Sequence, residues 1–448
     1  MNNRTRVPLM TRNGRSGLAA FLVAISIAPG LAAQQPAAPV SLAELQRAAL
    51  ARDARAVQRD ILSQSHQLRV RTIRDALKPR FTVSASNTHA SDVTFLPVTI
   101  PGSSIPIPPR DRWSGAVDVL QVLYDGGGAA QREAVETARL AESVAGVDAA
   151  LEPLRTEVTS TFFAAALLQA SERELESAIV DLEAVLSDTR VRVREGAALG
   201  RDSAMVRAEW LSVQARLTQA RSARRAAVTN LERLTGIAIA GDAPLALPDW
   251  TSVLDALETS GDVAALRARP EFVQLARARD RVDRERGLGA VENRPRVVAF
   301  AETGYGRPGL NQFRADPQGF WQAGVRVEWN PFTWGSAARS DEVAVLQERM
   351  LTTEEKALGD RLARAVQADL ENRARLKDQL AVDDEVIALR ELALTQGEAQ
   401  RREGVITAAE SVSLRSDVSN ARLARERHRV EIAQAEANIA TTLGLVPR

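Results

Sequence analysis

Apolar residues recur at helical spacing along two long stretches of the chain, residues 129–194 and 337–402. In the first stretch they advance in steps of three, four or seven, at Leu175, Ile179, Leu182, Leu186 and Val193. This spacing is typical of a coiled-coil seam. Each stretch predicts one helix, roughly 100 Å long at about 1.5 Å per residue. Pro153 predicts a kink in the first of them.

Shorter amphipathic stretches precede and follow each long helix. Residues 201–235 and 408–443 follow after a brief turn, and residues 42–77 and 262–292 come before. Each of these is about half as long as the helix beside it. We therefore expect two half-length helices to flank each long helix.

Strict alternation of apolar and polar residues appears at 81–86 and 321–330 and predicts strands with one apolar and one polar face. The strands form two predicted β-hairpins, residues 79–124 and 295–332. One interpretation is an ordinary sheet packed on a core. However, an isolated two-stranded hairpin is marginally stable, and no further strands are predicted for these hairpins to join. We favour a barrel shared between subunits, with its apolar face toward lipid.

Aromatic residues cluster in or beside these strands, although they make up only 4% of the chain. Trp and Tyr favour the boundary between membrane and water. The candidate membrane-interface residues are Trp113, Tyr124, Tyr305, Trp321, Trp329, Phe332 and Trp334.

The same order of elements occurs twice, 208 residues apart. Trp113 matches Trp321, and the Arg-Glu-Gly triplet at 194–196 matches that at 402–404. The predicted organisation is a first repeat at 34–237, a joining segment at 238–260 and a second repeat at 261–448. Eight extra residues between Ala90 and Trp113 mark a loop, because loops tolerate insertions that packed elements do not.

The first 33 residues have the pattern of a secretory signal peptide, with four arginines before a short apolar run and small residues at its end. The chain contains no cysteine, which excludes disulfides, thiolate metal sites and a cysteine nucleophile. Its 58 basic and 57 acidic residues give no sign of a nucleic-acid partner. The three histidines, His66, His89 and His428, are scattered, so we expect no enzyme, cofactor or metal site.

Several short segments carry a family resemblance. They are the strand-to-helix corner at 123–127, the helical tips at 194–199 and 402–407, and the repeat endings at 234–237 and 442–445. Together with the duplication, they make the chain resemble the TolC family of outer membrane efflux proteins. The resemblance implies a mostly α fold in a homotrimer. Four strands per chain would form a twelve-stranded outer-membrane β-barrel, continuous with an α-helical barrel that crosses the periplasm.

The function implied is a passive exit duct of a tripartite efflux or type I secretion system, seated in outer-membrane lipid. Its partners would be a periplasmic adaptor and an inner-membrane pump. In the family the helical tips contact the adaptor. The candidates here are Gly196, Ala197, Ala198, Leu199, Gly404, Val405, Ile406 and Thr407.

Asp202 and Glu410 lie six residues after the tip glycines, where the family often places an acidic gate residue. The alternative is that they stabilise a helix N-terminus, as acidic residues in a first turn ordinarily do. The chain departs from the family at Ser413, where a second acidic residue is common, and at the latch positions Arg401 and Ile406.

A soluble periplasmic coiled-coil adaptor or scaffold is the alternative function. Adaptors have a single helical hairpin and much more β structure. Two helical repeats with four strands therefore favour the exit duct.

Overall fold

The computed structural model describes residues 39–94, 97, 102, 107–260, 264–291, 293–332 and 334–445. The predicted signal peptide at 1–33 and part of the predicted loop between Ala90 and Trp113 lie outside the described residues. The helices are α1 (Leu42–Arg52), α2 (Gln58–Asp75), α3 (Gly128–Arg194), α4 (Gly200–Thr235), α5 (Thr251–Ser260), α6 (Pro270–Val291), α7 (Ser336–Arg402) and α8 (Ala408–Thr442). The strands are β1 (Val40–Ser41), β2 (Arg80–His89), β3 (Asp111–Tyr124), β4 (Leu245–Ala246), β5 (Arg296–Arg307) and β6 (Gln318–Glu328).

The predicted continuous helix at 42–77 is wrong, because the chain breaks between α1 and α2. Asp53 adopts extended backbone angles, and a 3-10 turn at Ala54–Val57 follows. The Asp53 carboxylate accepts hydrogen bonds from the backbone N–H of Arg55 (2.8 Å) and from its guanidinium. This pairing lowers the pKa of Asp53 to about 2. The Asp53 carboxylate thus caps the 3-10 turn, and α1 ends here instead of continuing into α2.

The second repeat also departs from the prediction at its start. The predicted helix at 262–292 begins only at Pro270, after a 3-10 turn at Ala264–Ala268. Proline suits the first position of a helix, where its missing N–H has no partner to lose. The segment at 238–260, predicted only as a joining segment, contains α5 and strand β4, which pairs in parallel with β1.

The two long helices organise the molecule. α3 and α7 have 67 residues each, about 100 Å at 1.5 Å per residue, and α3 continues through Pro153 as one helix. α4 returns along the distal half of α3 and α8 along that of α7, where distal means remote from the strands. α2 and α6 run beside the half of α3 that lies near the strands. Ion pairs join both helices to α3, such as Arg74–Glu133 for α2 and Arg281–Glu142 for α6.

Among the described residues, three apolar clusters hold these helices together. One lies at mid-length, where Leu45, Phe162, Leu231 and other residues of α1, α3, α4 and α8 meet the segment after α4. A second joins the distal halves of α3, α4 and α8. The third packs α5, with Trp250 before it, against α7 and α8. None of the described helices is long and apolar enough to cross a membrane.

Four strands form one antiparallel sheet in the order β2-β3-β5-β6. The two hairpins, one from each repeat, meet at the pairing of β3 with β5, where Val117 lies opposite Thr303. A register shift between Val122 and Tyr124 marks an irregularity at the helical end of β3. Within the described residues, β2 and β6 have one neighbour each and form the two edges of the sheet.

Candidate functional site

One face of the sheet is predominantly apolar across all four strands. Directly paired residues share a face, so the register Phe81–Val119, Val83–Val117 and Val297–Val327 sets the members of this face. They include Phe81, Val83, Ala85, Val117, Val119, Val297, Ala299, Ala301, Ala323, Val325 and Val327. Phe81 is 70% exposed, Val83 80% and Val325 63%, so large side chains on this face have no cover in the single chain.

The opposite face carries most of the polar side chains of the same strands, together with the apolar side chains of Leu120, Val298, Phe300 and Phe320. Ser86 and Ser114 hydrogen-bond through their hydroxyls at 2.9 Å, and Gln322 donates to Glu302. The Arg326 guanidinium lies 5.2 Å from the centre of the Phe300 ring. The sheet therefore has one predominantly apolar face and one mixed face that carries the hydrogen-bonded polar side chains.

The predicted interface aromatics lie at two levels of the sheet. Trp113, Tyr305 and Trp321 lie at the ends of the strands that lead away from the helices. The rings of Trp113 and Tyr305 are 5.8 Å apart. The register places these three residues and Tyr124, at the opposite end of β3, on the apolar face.

The remaining aromatics lie at the helical end, between β6 and α7. Trp329 donates its indole N–H to the Asn293 carbonyl at 3.1 Å. Phe332 is 83% exposed and Trp334 is 91% exposed. Together with Tyr124 they form the second level.

Both helical tips are built by the same backbone motif. The N–H of Ala197 donates to the Arg192 carbonyl (2.8 Å), and the N–H of Gly196 donates to Val193 (3.2 Å). Val405 and Gly404 make the corresponding bonds to Gln400 and Arg401. This is a Schellman motif, which needs a left-handed residue, and Gly196 and Gly404 have φ of 75° and 80°.

The residues that follow these glycines face solvent to different extents. Leu199 is 57% exposed and Val405 is 68% exposed. Gly196, Ala197, Gly404 and Thr407 are also exposed, whereas Ala198 and Ile406 are half-buried. Each tip therefore presents one large apolar side chain beside small residues.

The two gate candidates cap the helices that follow the tips. Glu410 accepts hydrogen bonds from the backbone N–H of Thr407 (2.8 Å) and from its hydroxyl (3.1 Å). The Thr407 hydroxyl accepts the N–H of Glu410 in return, which completes a capping box. Asp202 accepts the N–H of Leu199 at 3.2 Å and lies 3.8 Å from the Arg201 guanidinium.

An ion pair joins the two tips. The Arg401 guanidinium donates to Asp188 on α3 at 2.9 Å, and Asp188 also pairs with Arg192 at 3.3 Å. The sequence identified Arg401 as a latch position but did not identify Asp188. One signal was available: both residues break the repeat, because Asp188 aligns with Gln396 and Arg401 with Val193.

The described residues contain no group of three or more His, Asp or Glu side chains that could hold a metal ion. No protein-family model and no curated protein matches the sequence.

Solved structures do match. CusC, whose structures concern folding and transmembrane channel formation, is 14% identical over 90% of this chain and 92% of its own, with a TM-score of 0.66. The outer membrane protein VceC of Vibrio cholerae is 15% identical, covering 90% and 96% with a TM-score of 0.63. The MtrE outer membrane channel of Neisseria gonorrhoeae is 19% identical, covering 90% and 89% with a TM-score of 0.58.

Proposed function

We propose that this chain, which has the fold of outer membrane channels of the TolC-like kind, is a passive exit duct in the bacterial outer membrane, part of a tripartite efflux or type I secretion system. The observation that carries this proposal is the four-stranded sheet, whose exposed apolar face is bordered by aromatic residues at two levels. A face of this kind suits lipid, and the mixed face behind it, which carries the charged and hydrogen-bonding side chains, suits a water-filled passage.

The distance between the two aromatic levels supports the membrane assignment. Trp113 and Tyr124 are eleven residues apart on β3, which is about 36 Å along a strand at roughly 3.3 Å per residue. With the strand tilt of about 40° that is usual in such barrels, the levels are about 28 Å apart along the membrane normal. The apolar band of outer-membrane barrels is about 25 Å tall.

The edges of the sheet support an oligomer in which neighbouring chains pair their edges, and the family resemblance implies three chains. An open edge in a membrane leaves backbone N–H and C=O groups without partners, which costs several kcal/mol for each group. If β2 of one chain pairs with β6 of the next, three chains close twelve strands with no edge left. The same arrangement places six helical hairpins around one tunnel.

The tips are then the end of the duct that faces the inner membrane. The exposed residues Leu199 and Val405 are contact positions for the hairpin of a periplasmic adaptor, which links the duct to a pump. In this mechanism substrate moves along the polar interior of the tunnel and barrel. The inner-membrane pump supplies the energy, so the duct needs no nucleotide or catalytic group.

Glu410 is the better of the two gate candidates. Its carboxylate is exposed, and only one of its two oxygens accepts the hydrogen bonds of the cap. The second oxygen is available to attract cations in a ring of three chains. Asp202 has a side chain only 13% exposed and lies beside the compensating charge of Arg201.

The soluble adaptor alternative receives no support from the fold. The likeness to outer membrane channels extends over 90% of the chain, strands and helices together. It leaves no room for the large β-domains that adaptors have.

Cell fractionation tests the proposal. The complete chain, expressed in a Gram-negative host, is expected in the outer-membrane fraction as a trimer that falls apart to monomer only on heating in detergent. Recovery of folded monomer from the soluble periplasm would overturn the proposal and restore the adaptor alternative.

A further inference from the structure

The mixed face of the sheet carries two aromatic rings on either side of a pair of carboxylates. Asp118 of β3 lies directly opposite Glu302 of β5. Phe300 precedes Glu302 by two residues on the same face, and Phe320 of β6 lies opposite Gly304, two residues beyond it. Successive residues on one face of a strand are about 7 Å apart, so one small molecule can contact a ring and both carboxylates. We call Asp118, Phe300, Glu302 and Phe320 the aromatic-acidic patch.

Each ring of the patch lies over a glycine of the neighbouring strand. A Cβ added at Gly324 would lie 2.9 Å from the Cζ of Phe300, and one added at Gly304 would lie 2.7 Å from the Cζ of Phe320. The space that a side chain would fill at each glycine is therefore taken by a ring. The two rings thus lie across the sheet, where a molecule that moves along this face can contact them.

The two carboxylates of the patch have neutral hydrogen-bond partners. Glu302 accepts a hydrogen bond from Gln322, and Asp118 accepts one from the Ser84 hydroxyl at 3.5 Å. In the described part of the chain, no Lys, Arg or His forms an ion pair with either carboxylate. Like charges directly opposite each other destabilise a sheet. A pair that breaks a local rule in this way is expected at functional sites.

One ring of the patch already contacts a cation of this chain. The Arg326 guanidinium lies 5.2 Å from the centre of the Phe300 ring, a distance at which the face of an aromatic ring attracts a positive charge. Arg326 also lies 3.9 Å from Glu328, which compensates its charge. Among the described residues, no cationic side chain lies over the Phe320 ring. The patch therefore contains one ring that holds an internal cation and one that can take an external cation.

The internal repeat gives a direct comparison for this patch. At the positions of the first β-hairpin that correspond to Phe300, Glu302 and Phe320, the chain has Ser84, Ser86 and Arg112. The first β-hairpin thus carries hydroxyl groups where the second carries a ring and a carboxylate. The difference concerns chemistry alone, because both hairpins place these positions on the mixed face of one sheet.

We propose that the aromatic-acidic patch is a binding site for organic cations that carry an aromatic ring. The positive charge of such a molecule is attracted by Asp118 and Glu302, and its ring packs against Phe320. A molecule without the ring makes only the first contact, and an aromatic anion is repelled by the carboxylates. The inference rests on the exit duct proposed above, in which the mixed face lines the passage and each chain contributes one patch to the wall of the barrel.

Ligand binding to the purified full-length trimer in discs of zwitterionic lipid tests the site. Benzyltrimethylammonium, followed by saturation-transfer NMR, is expected to bind saturably. Tetramethylammonium, which lacks the ring, is expected to bind about five-fold more weakly, and benzenesulfonate is expected not to bind. Benzenesulfonate binding as tight as that of benzyltrimethylammonium would overturn the proposal, because the carboxylates would then have no part in recognition.

Variants of the patch locate the binding. Phe320→Leu and Glu302→Gln are each expected to weaken benzyltrimethylammonium binding about three-fold to five-fold, and Phe320→Tyr, which keeps the ring, is expected to bind like the wild type. Phe313→Leu is the matched control, because Phe313 is an aromatic residue between β5 and β6 that is 46% exposed and lies outside the patch.

The outcomes separate this site from the exit duct. If the trimer conducts in a lipid bilayer but Phe320→Leu and Glu302→Gln both bind the probe like the wild type, the site is overturned while the duct stands. Weakening by Phe313→Leu alone would place the binding in the loop and would also overturn the site. If the chain is recovered as a soluble monomer, the duct fails, and the site on its inner wall fails with it.

Discussion

Removal of the Arg373 side chain is expected to destabilise the helical part more than any nearby surface change. Arg373 lies on α7 and is only 1% exposed. Its Nε donates to Glu436 of α8 at 2.8 Å, and its Nη2 donates to Asp255 of α5 at 2.8 Å. Glu436 is 4% exposed, so its carboxylate has little water to replace the guanidinium.

The loss of unfolding free energy depends on which charge is left buried without a partner. Removal of one partner of a buried pair costs about 3–5 kcal/mol, because the other charge stays buried. Arg373→Met is expected in this range. Replacement of both charges by apolar residues of similar volume is often neutral, so Arg373→Met with Glu436→Leu is expected to recover most of the loss. The Asp255 side chain is 52% exposed, and Asp255→Asn is expected to cost at most about 1 kcal/mol.

The assay is urea unfolding of the detergent-solubilised protein, followed by circular dichroism of the helices. The midpoint is expected to fall most for Arg373→Met, little for Asp255→Asn and little for the double variant. The reasoning is refuted if the double variant unfolds as early as Arg373→Met, since an uncompensated charge would then not be the cause.

Three further predictions concern the tips and the core. Glu410→Gln is expected to weaken the block of single-channel conductance by divalent cations, and unchanged cation sensitivity would remove Glu410 from the gate. Leu199→Asp and Val405→Asp are each expected to reduce adaptor cross-linking several-fold while the trimer and its conductance persist; equal cross-linking would show that the adaptor binds elsewhere. Glu152 is 8% exposed, and burial raises its pKa despite attraction to Arg155. The folded state therefore keeps this proton to a higher pH than the unfolded state does, so stability falls as pH rises from the ordinary value of 4.5 through the raised pKa. Glu152→Gln is expected to lose less stability than the wild type between pH 4.5 and 7, measured by urea midpoints, and identical pH profiles would contradict this.

The mostly helical fold class and the resemblance to outer membrane channels could be predicted from the sequence, and both are confirmed. The reason is that long helices with coiled-coil spacing place apolar residues at regular intervals. This pattern can be recognised in the sequence without knowledge of tertiary contacts. The repeat added what periodicity cannot show, namely that one unit occurs twice. The trimer, the closed barrel and the assigned site residues stay predictions.

Local side-chain chemistry explains one feature that the sequence prediction missed, and contacts between distant parts of the chain explain two others. The Asp53 carboxylate accepts hydrogen bonds within its own turn and so ends the helix, although the apolar pattern of the sequence continues on both sides. The pairing of β3 with β5 joins the two repeats over long sequence separation, and no spacing along the chain encodes it. The tip ion pair was missed because Asp188 and Arg401 lie in different repeats.

Glu410 can cap a helix and serve as a gate residue at the same time. The sequence offered Glu410 either as a gate or as a helix-capping residue. The structure shows the cap in full, with hydrogen bonds in both directions between Glu410 and Thr407. The gate role concerns the second carboxylate oxygen and remains a proposal.

Single-channel recording tests the central claim most directly. The purified full-length protein, added to a planar lipid bilayer, is expected to insert and give stepwise conductance carried by trimers. Folded trimer that never inserts, or that inserts without conducting even after the tip ion pair is removed by Arg401→Ala, would contradict the proposal that this chain forms a duct through the outer membrane.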